Sequence, residues 1–315
     1  MPTWKNPFPP SAATRLAWRS VRAVSIDAEG YARWRLNAGR ASVHSVFERV
    51  INLQAEGGDL FTIAAAGVDD APDTVVADGP LAVAGVVPGD AVLALQDRMG
   101  IGNAVELALA GARPWRAVLP AYPARTERLR RNLDLVRSAL ASVWSSHASV
   151  SPLGRELAGL LAHRRELLCA ALCAGDLDAA RRHGQTMLGL GPGLTPSGDD
   201  FLAGLLVVLH LPGGPRQGLR NVGRYLIADA ERRTNAISVA MLRAAAEGRV
   251  RQSVIALLRE LVAGDPRDVP SALAPVLAIG STSGSDMAAG IVAGFDVQLH
   301  LGNAGKFLNA EVAND

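Results

Sequence analysis

The residues best placed to do chemistry lie in two related segments. The first is Gly189-Leu-Gly-Pro-Gly-Leu-Thr-Pro-Ser-Gly-Asp-Asp-Phe-Leu-Ala-Gly204, a Gly/Pro loop running into an apolar stretch. Gly191 and Gly193 permit unusual backbone angles and close approach of a ligand. Ser197 stands where a helix N-cap belongs, with Asp200 three residues on, a variant of the capping box. The amides of such a first turn, Gly198 included, face outward, and the helix dipole favours an anion there. The second segment, Ser283-Gly-Ser-Asp-Met-Ala-Ala-Gly290, repeats Ser, Gly, Asp, Ala and Gly at the spacing of Ser197 to Gly204.

Two helices of one design follow. Asp200 and Gly204, like Asp286 and Gly290, are four apart and share a helix face, and a glycine there lets a second helix come close. The two helix starts are therefore expected to converge. Backbone amides of Gly191, Gly193, Gly198 and Gly284 would hold an anion, with Thr195, Ser197 and Ser283 donating hydrogen bonds. Asp199, Asp200 and Asp286, the candidate catalytic residues, oppose an anion, which leaves three resolutions. They turn back onto the caps, share a magnesium ion with the ligand, or accept hydrogen bonds from an amide or ammonium group. Thr234 and Ser238, four apart and read as one helical face, are further binding candidates, with Arg232 and Arg233 as bidentate anion ligands. The plain alternative is two well-made helix caps.

Other motif classes are excluded. A P-loop needs Lys after its final glycine, where Asp199 stands. The segment before Gly189 reads as helix, not the strand of a dinucleotide-binding fingerprint. Six scattered histidines give no defensible triad. Cys169 and Cys173 have no second ligand pair at zinc-site spacing and read as buried helix residues.

The elements that must position these residues change character near the middle of the chain. Of 315 residues, 49% are hydrophobic and 4% aromatic, and 32 basic side chains (30 Arg, 2 Lys) face 30 acidic ones. That balance argues against a nucleic-acid binder, and the length predicts about two domains. Residues 1–20, with Pro7, Pro9 and Pro10, read as a loose arm without signal-peptide features. Residues 21–112 read as β-rich: Val21–Ile26, Tyr31–Leu36, Ser42–Phe47 and Leu60–Ala64 carry strand-type residues. Asp78-Gly-Pro80 and Val87-Pro-Gly-Asp90 read as turns. Asn37, Phe47, Glu48, Arg49 and Asn52 form a weaker polar and apolar patch. Residues 113–124, with three prolines, read as a linker. Residues 125–315 show helical periodicity, including Arg125–Trp144, Leu157–Ala174 and one long helix over Leu219–Ala246. The fold class expected is α+β, an N-terminal mixed β domain followed by a mainly helical C-terminal domain. No apolar run is long enough to span a bilayer.

At Gly191–Gly204 and Gly280–Gly290 the sequence resembles the AllH-like family. Phe47-Glu-Arg-Val-Ile-Asn52, the Asp78-Gly-Pro80 turn and Thr234–Ser238 are similar to that family's pattern in the same order. Ser281-Thr282 stands where many relatives are expected to carry His. The resemblance implies a cytoplasmic protein of bacterial purine or allantoin catabolism. It implies one subunit of an oxamate carbamoyltransferase that works with an FdrA-like subunit and a third subunit on oxalurate, phosphate, oxamate and carbamoyl phosphate. A non-catalytic scaffold subunit and a magnesium-dependent hydrolase are the alternatives.

Overall fold

A computed structural model describes residues 19–37, 41–81, 85–146, 152–215, 219 and 221–312. Most of the stretch read as an arm, residues 1–18, lies outside them. The chain divides into two compact units, residues 1–115 and 116–315.

The first unit is a mixed β structure, as expected. Its strands are β1 (Arg19–Asp27), β2 (Ala41–Val46), β3 (Val50–Gln54), β4 (Leu60–Ala64), β5 (Thr74–Ala77), β6 (Ala91–Ala94), β7 (Arg98–Ile101), β8 (Val105–Ala108) and β9 (Arg113–Trp115). They hydrogen-bond in the order β5-β4-β3-β2-β6-β7-β8-β1-β9, and a further β5–β1 pairing closes the first eight into a barrel. Closure leaves no free edge among those eight strands. The β1–β8, β1–β9 and β4–β5 pairs are parallel and the rest antiparallel. β9 begins the proline-rich stretch read as a linker, with Pro114 beside Ile26 on the outermost strand, where a missing N–H is tolerated.

One expected strand is a helix. Tyr31–Leu36 lies in α1 (Ala28–Asn37). The Asp27 carboxylate accepts the Gly30 amide at 3.2 Å and caps the first turn. Tyr31 and Trp34, three apart, bury one face against Phe61 at ring-centroid distances of 5.3 and 5.4 Å. Aromatic content suggested a strand, but the burial has a helical period. The patch residues do not act as a group: Asn52 is buried in a cross-strand row with Ser45 and Thr62, Arg49 bonds the Ala66 carbonyl, and Phe47 is exposed.

The second unit is helical: α2 (Glu127–Ser146), α3 (Pro152–Ala174), α4 (Leu177–Gln185), α5 (Ser197–Leu209), α6 (Val222–Leu226), α7 (Ala230–Arg233), α8 (Ala236–Ala246), α9 (Gln252–Ala263), α10 (Val269–Leu277) and α11 (Ser283–Val312). The single helix expected over Leu219–Ala246 is three. Thr234 leaves α7 with an extended backbone, and the Asn235 side chain caps a new helix by accepting the Ser238 amide. Every residue of α5 is buried, the property of a helix at the centre of a core. α2 is fastened to α9 by Asn132, whose fully buried amide donates to the carbonyls of Glu260, Leu261 and Gly264. That covers carbonyls a helix end otherwise leaves unmet. Cys169 and Cys173 are free and half-buried rather than buried. Among the described residues no helix is long and apolar enough to cross a membrane.

Candidate functional site

The starts of α5 and α11 come together, built by glycines. A Cβ on Gly204 would lie 2.1 Å from the Met287 carbonyl oxygen, and one on Gly290 would lie 2.0 Å from that of Phe201. Further along, Gly294 meets Leu205 and Val208. The contacts rise together in both helices, so α5 and α11 run parallel with their N-termini at one end. At that end Thr195 Oγ1 and Ser283 Oγ are 2.8 Å apart, and Thr195 donates to Asp200 at 3.0 Å.

Asp200 is 1% exposed behind these half-exposed hydroxyls. Burial pushes its acid up to about 7; the Ser283 and Thr195 hydroxyls oppose the rise, and the negative charges of Asp286 and Asp199 add to it. Such a group changes protonation near neutral pH.

The loop before α5 carries the strain that its glycines permit. Gly189, Gly191 and Gly193 have φ of 73°, 122° and 104°. Gly198 and Gly284 occupy equivalent places: a Cβ would lie 2.1 Å from the Met187 oxygen in one and 2.0 Å from the Val276 oxygen in the other. Their amides donate to the carbonyls of Leu190 and Ile279. The amides of Asp199 and Asp200 both reach the Pro196 carbonyl, and that of Asp286 reaches Thr282. Two of the four glycine amides on which an anion was expected to rest, those of Gly198 and Gly284, are thus engaged within the protein. Ser197 is not the N-cap. Pro196 holds that place without a side-chain bond, and Ser197 is buried under the Gly191 turn.

Asp199 faces away from this cluster and ties three segments together. Its carboxylate accepts the Gly189 amide at 2.9 Å and the Thr234 hydroxyl. Ser238, fully buried, lies close enough to favour the ionised acid without completing a well-formed hydrogen bond. Burial still raises the Asp199 acid above its usual range. Thr234 and Ser238 therefore meet at Asp199 from two elements, not from one helical face. Arg232 pairs with Asp229 instead of reaching the site, and Arg233 is exposed.

The basic residue that does reach the cluster is one the spacing of the two motifs did not single out. Arg165 of α3 donates to Asp286 at 2.6 Å across 121 positions and lies over the Phe201 ring, 4.8 Å from its centroid. Its signal was its phase. Leu161, Leu168 and Leu172 are the buried face of α3, and position 165 falls on the same stripe, where a hydrophobic residue belongs.

Two of the three carboxylates are committed within the protein. Asp286 is committed to Arg165 and Asp199 to Gly189 and Thr234. Among the described residues no group of three or more His, Cys, Asp or Glu could hold a metal ion.

A closed mixed β-barrel unit and a helical unit with paired Ser-Gly-x-Asp helix starts define the class of protein. Residues 22–114 match the model of the AllH family N-terminal domain, and residues 187–295 match the model described as oxamate carbamoyltransferase subunit AllH. The chain belongs to the AllH family. No solved structure matches it.

Proposed function

We propose that the chain is a carbamoyltransferase-type subunit of purine or allantoin catabolism. It would act in the cytoplasm with an FdrA-like subunit and a third subunit. The observation that carries the reading is the Thr195–Ser283 hydroxyl pair backed by buried Asp200, in a segment matching a family described by that activity. Oxamate has an amide and a carboxylate. With the Gly198 and Gly284 amides engaged, side chains do the recognising: the hydroxyls of Thr195 and Ser283 take the amide end and Asp200 is its proton partner.

In the transfer step the oxamate amide nitrogen attacks the carbonyl carbon of carbamoyl phosphate. A C–N bond forms, the bond from that carbon to the phosphate oxygen breaks, and phosphate leaves with the electron pair. The nitrogen sheds a proton, which passes through a hydroxyl to the Asp200 carboxylate. A base with a pKa near the working pH suits this role. Gly191, Gly193, Gly198, Gly284 and Ser197 shape the site, and Asp199, Thr234 and Ser238 hold the loop in place. Asp286 holds the Arg165 guanidinium.

A second reading, a scaffold subunit whose partner carries the chemistry, is favoured by one fact: most carboxylates and amides at the helix starts already have partners within the chain. Carbamoyl transfer assayed with all three subunits decides. Loss on Asp200→Asn supports the first reading; full activity in that variant supports the second.

A further inference from the structure

The proposed substrate carries an anion, and the amides of Gly198 and Gly284 at the two helix starts are occupied. Arg165 supplies what they do not. Its guanidinium reaches the cluster with one N–H on Asp286, its Cζ over the Phe201 ring and its side chain only 17% exposed. Its Nε is buried and has no hydrogen-bond partner among the described residues.

That arrangement leaves donors of the guanidinium uncommitted. A buried arginine paired with a carboxylate ordinarily closes the fork, with two parallel N–H donors on two oxygens. Here one Nη touches one Asp286 oxygen and the rest of the fork is left over. The ring beneath holds the guanidinium through a cation–π contact. Asp286 holds one Nη; Asp286 is three residues after Ser283 and Phe201 is next to Asp200, so Arg165 contacts both helix starts. Arg165 and Asp286 together are neutral, so an incoming oxyanion meets directed donors without the repulsion of a bare carboxylate.

We infer that Arg165 is the oxyanion ligand of the site, receiving the carboxylate of an amide substrate such as oxamate or the phosphate group of its co-substrate. This rests on the reading of the site in the preceding subsection. It assigns recognition of the anionic end to a side chain of α3, which lies outside both Ser-Gly-x-Asp motifs.

Calorimetric titration of the full chain, alone and with its partner subunits, tests the inference with three probes: oxamate, inorganic phosphate and oxamide, a neutral diamide without the carboxylate. Arg165→Lys keeps the charge and loses the planar fork; it should weaken oxamate or phosphate by roughly tenfold or more and leave oxamide unchanged. Whichever anion loses affinity is the one Arg165 receives. Asp286→Asn frees the guanidinium from its competitor and should tighten the same anion, a gain that misfolding cannot produce. If Arg165→Lys does not fold, as judged by thermal melting, Asp286→Asn decides alone. Unchanged affinities for both anions in these variants would overturn the role of Arg165 while leaving the site intact. Absence of binding of all three probes by the unmodified chain in every combination would instead overturn the site itself.

Discussion

Thr195 and Ser283, 88 residues apart in the chain, share a 2.8 Å contact between their hydroxyl oxygens in front of the buried Asp200 carboxyl. The contact exists because α5 and α11 approach to backbone distance. Each helix has a glycine where the other presents a carbonyl, Gly204 at Met287 and Gly290 at Phe201. Helix spacing, hydroxyl contact and the state of Asp200 are consequently one linked arrangement, and each can be perturbed separately.

Asp200 makes stability depend on pH in the direction opposite to most carboxylates. Its acid is raised from 3.8 to about 7, so the folded chain keeps a proton that the unfolded chain releases. The folded state binds more protons between those values, and stability falls as pH rises through that window. Asp200→Asn removes this contribution. Denaturant unfolding at pH 8 should show the variant regaining on the order of 2–4 kcal/mol relative to the unmodified chain, compared with the difference at pH 4. Parallel pH curves for the two proteins would refute the assignment.

The same group sets the expected rate profile. If Asp200 takes the proton from the attacking amide, it must be ionised, and kcat/KM for carbamoyl transfer should rise with pH and level off above about 7. Asp200→Asn should lose that limb and about 10²–10⁴-fold in rate, the usual worth of a positioned base. A full-rate variant with the limb intact would place the base elsewhere.

Gly290→Ala puts a methyl group 2.0 Å from the Phe201 oxygen, a backbone atom on a fully buried helix. The helices must separate, at a cost of about 1–3 kcal/mol or more, and the hydroxyl contact should open with them. Gly159→Ala in α3 is the control, because its methyl group meets nothing within 4 Å. There the gain in helix propensity should stabilise the protein by about 0.4–1 kcal/mol. Urea midpoints for the two variants should move in opposite directions.

The repeated Ser-Gly-x-Asp pattern made the helix pairing legible, because it puts both glycines one turn after an acid on the same face. What it hid was the use of the polar groups. Ser197 reads as a cap, yet the tight Gly191 turn buries it and leaves capping to the backbone of Pro196. Thr234 and Ser238 read as one face because their spacing is four, but Asn235 between them starts a new helix, so their convergence on Asp199 comes from tertiary structure. Tyr31 and Trp34 read as strand by residue type, whereas their spacing of three holds the better information. Arg165 was hidden by company: among 30 arginines, only its position on the buried stripe of α3 set it apart, and its partner lies 121 residues away.

Thr234→Val separates the part of this region that holds the loop from the part assigned to substrate. Asp199 is 0% exposed, and the Thr234 hydroxyl and Gly189 amide are the donors that hydrogen-bond it. Removing the hydroxyl leaves a buried carboxylate oxygen short of a partner, at a cost of about 1–3 kcal/mol. Because burial already raises the Asp199 acid, losing a donor raises it further, and the loss of stability should shrink as pH falls and the neutral acid forms. Oxamate affinity measured well below the melting temperature should stay within about twofold of the unmodified chain, because Thr234 bonds Asp199 and not the Thr195–Ser283 pair. A large loss of affinity in a fully folded variant would move Asp199 and Thr234 from the framework into the site.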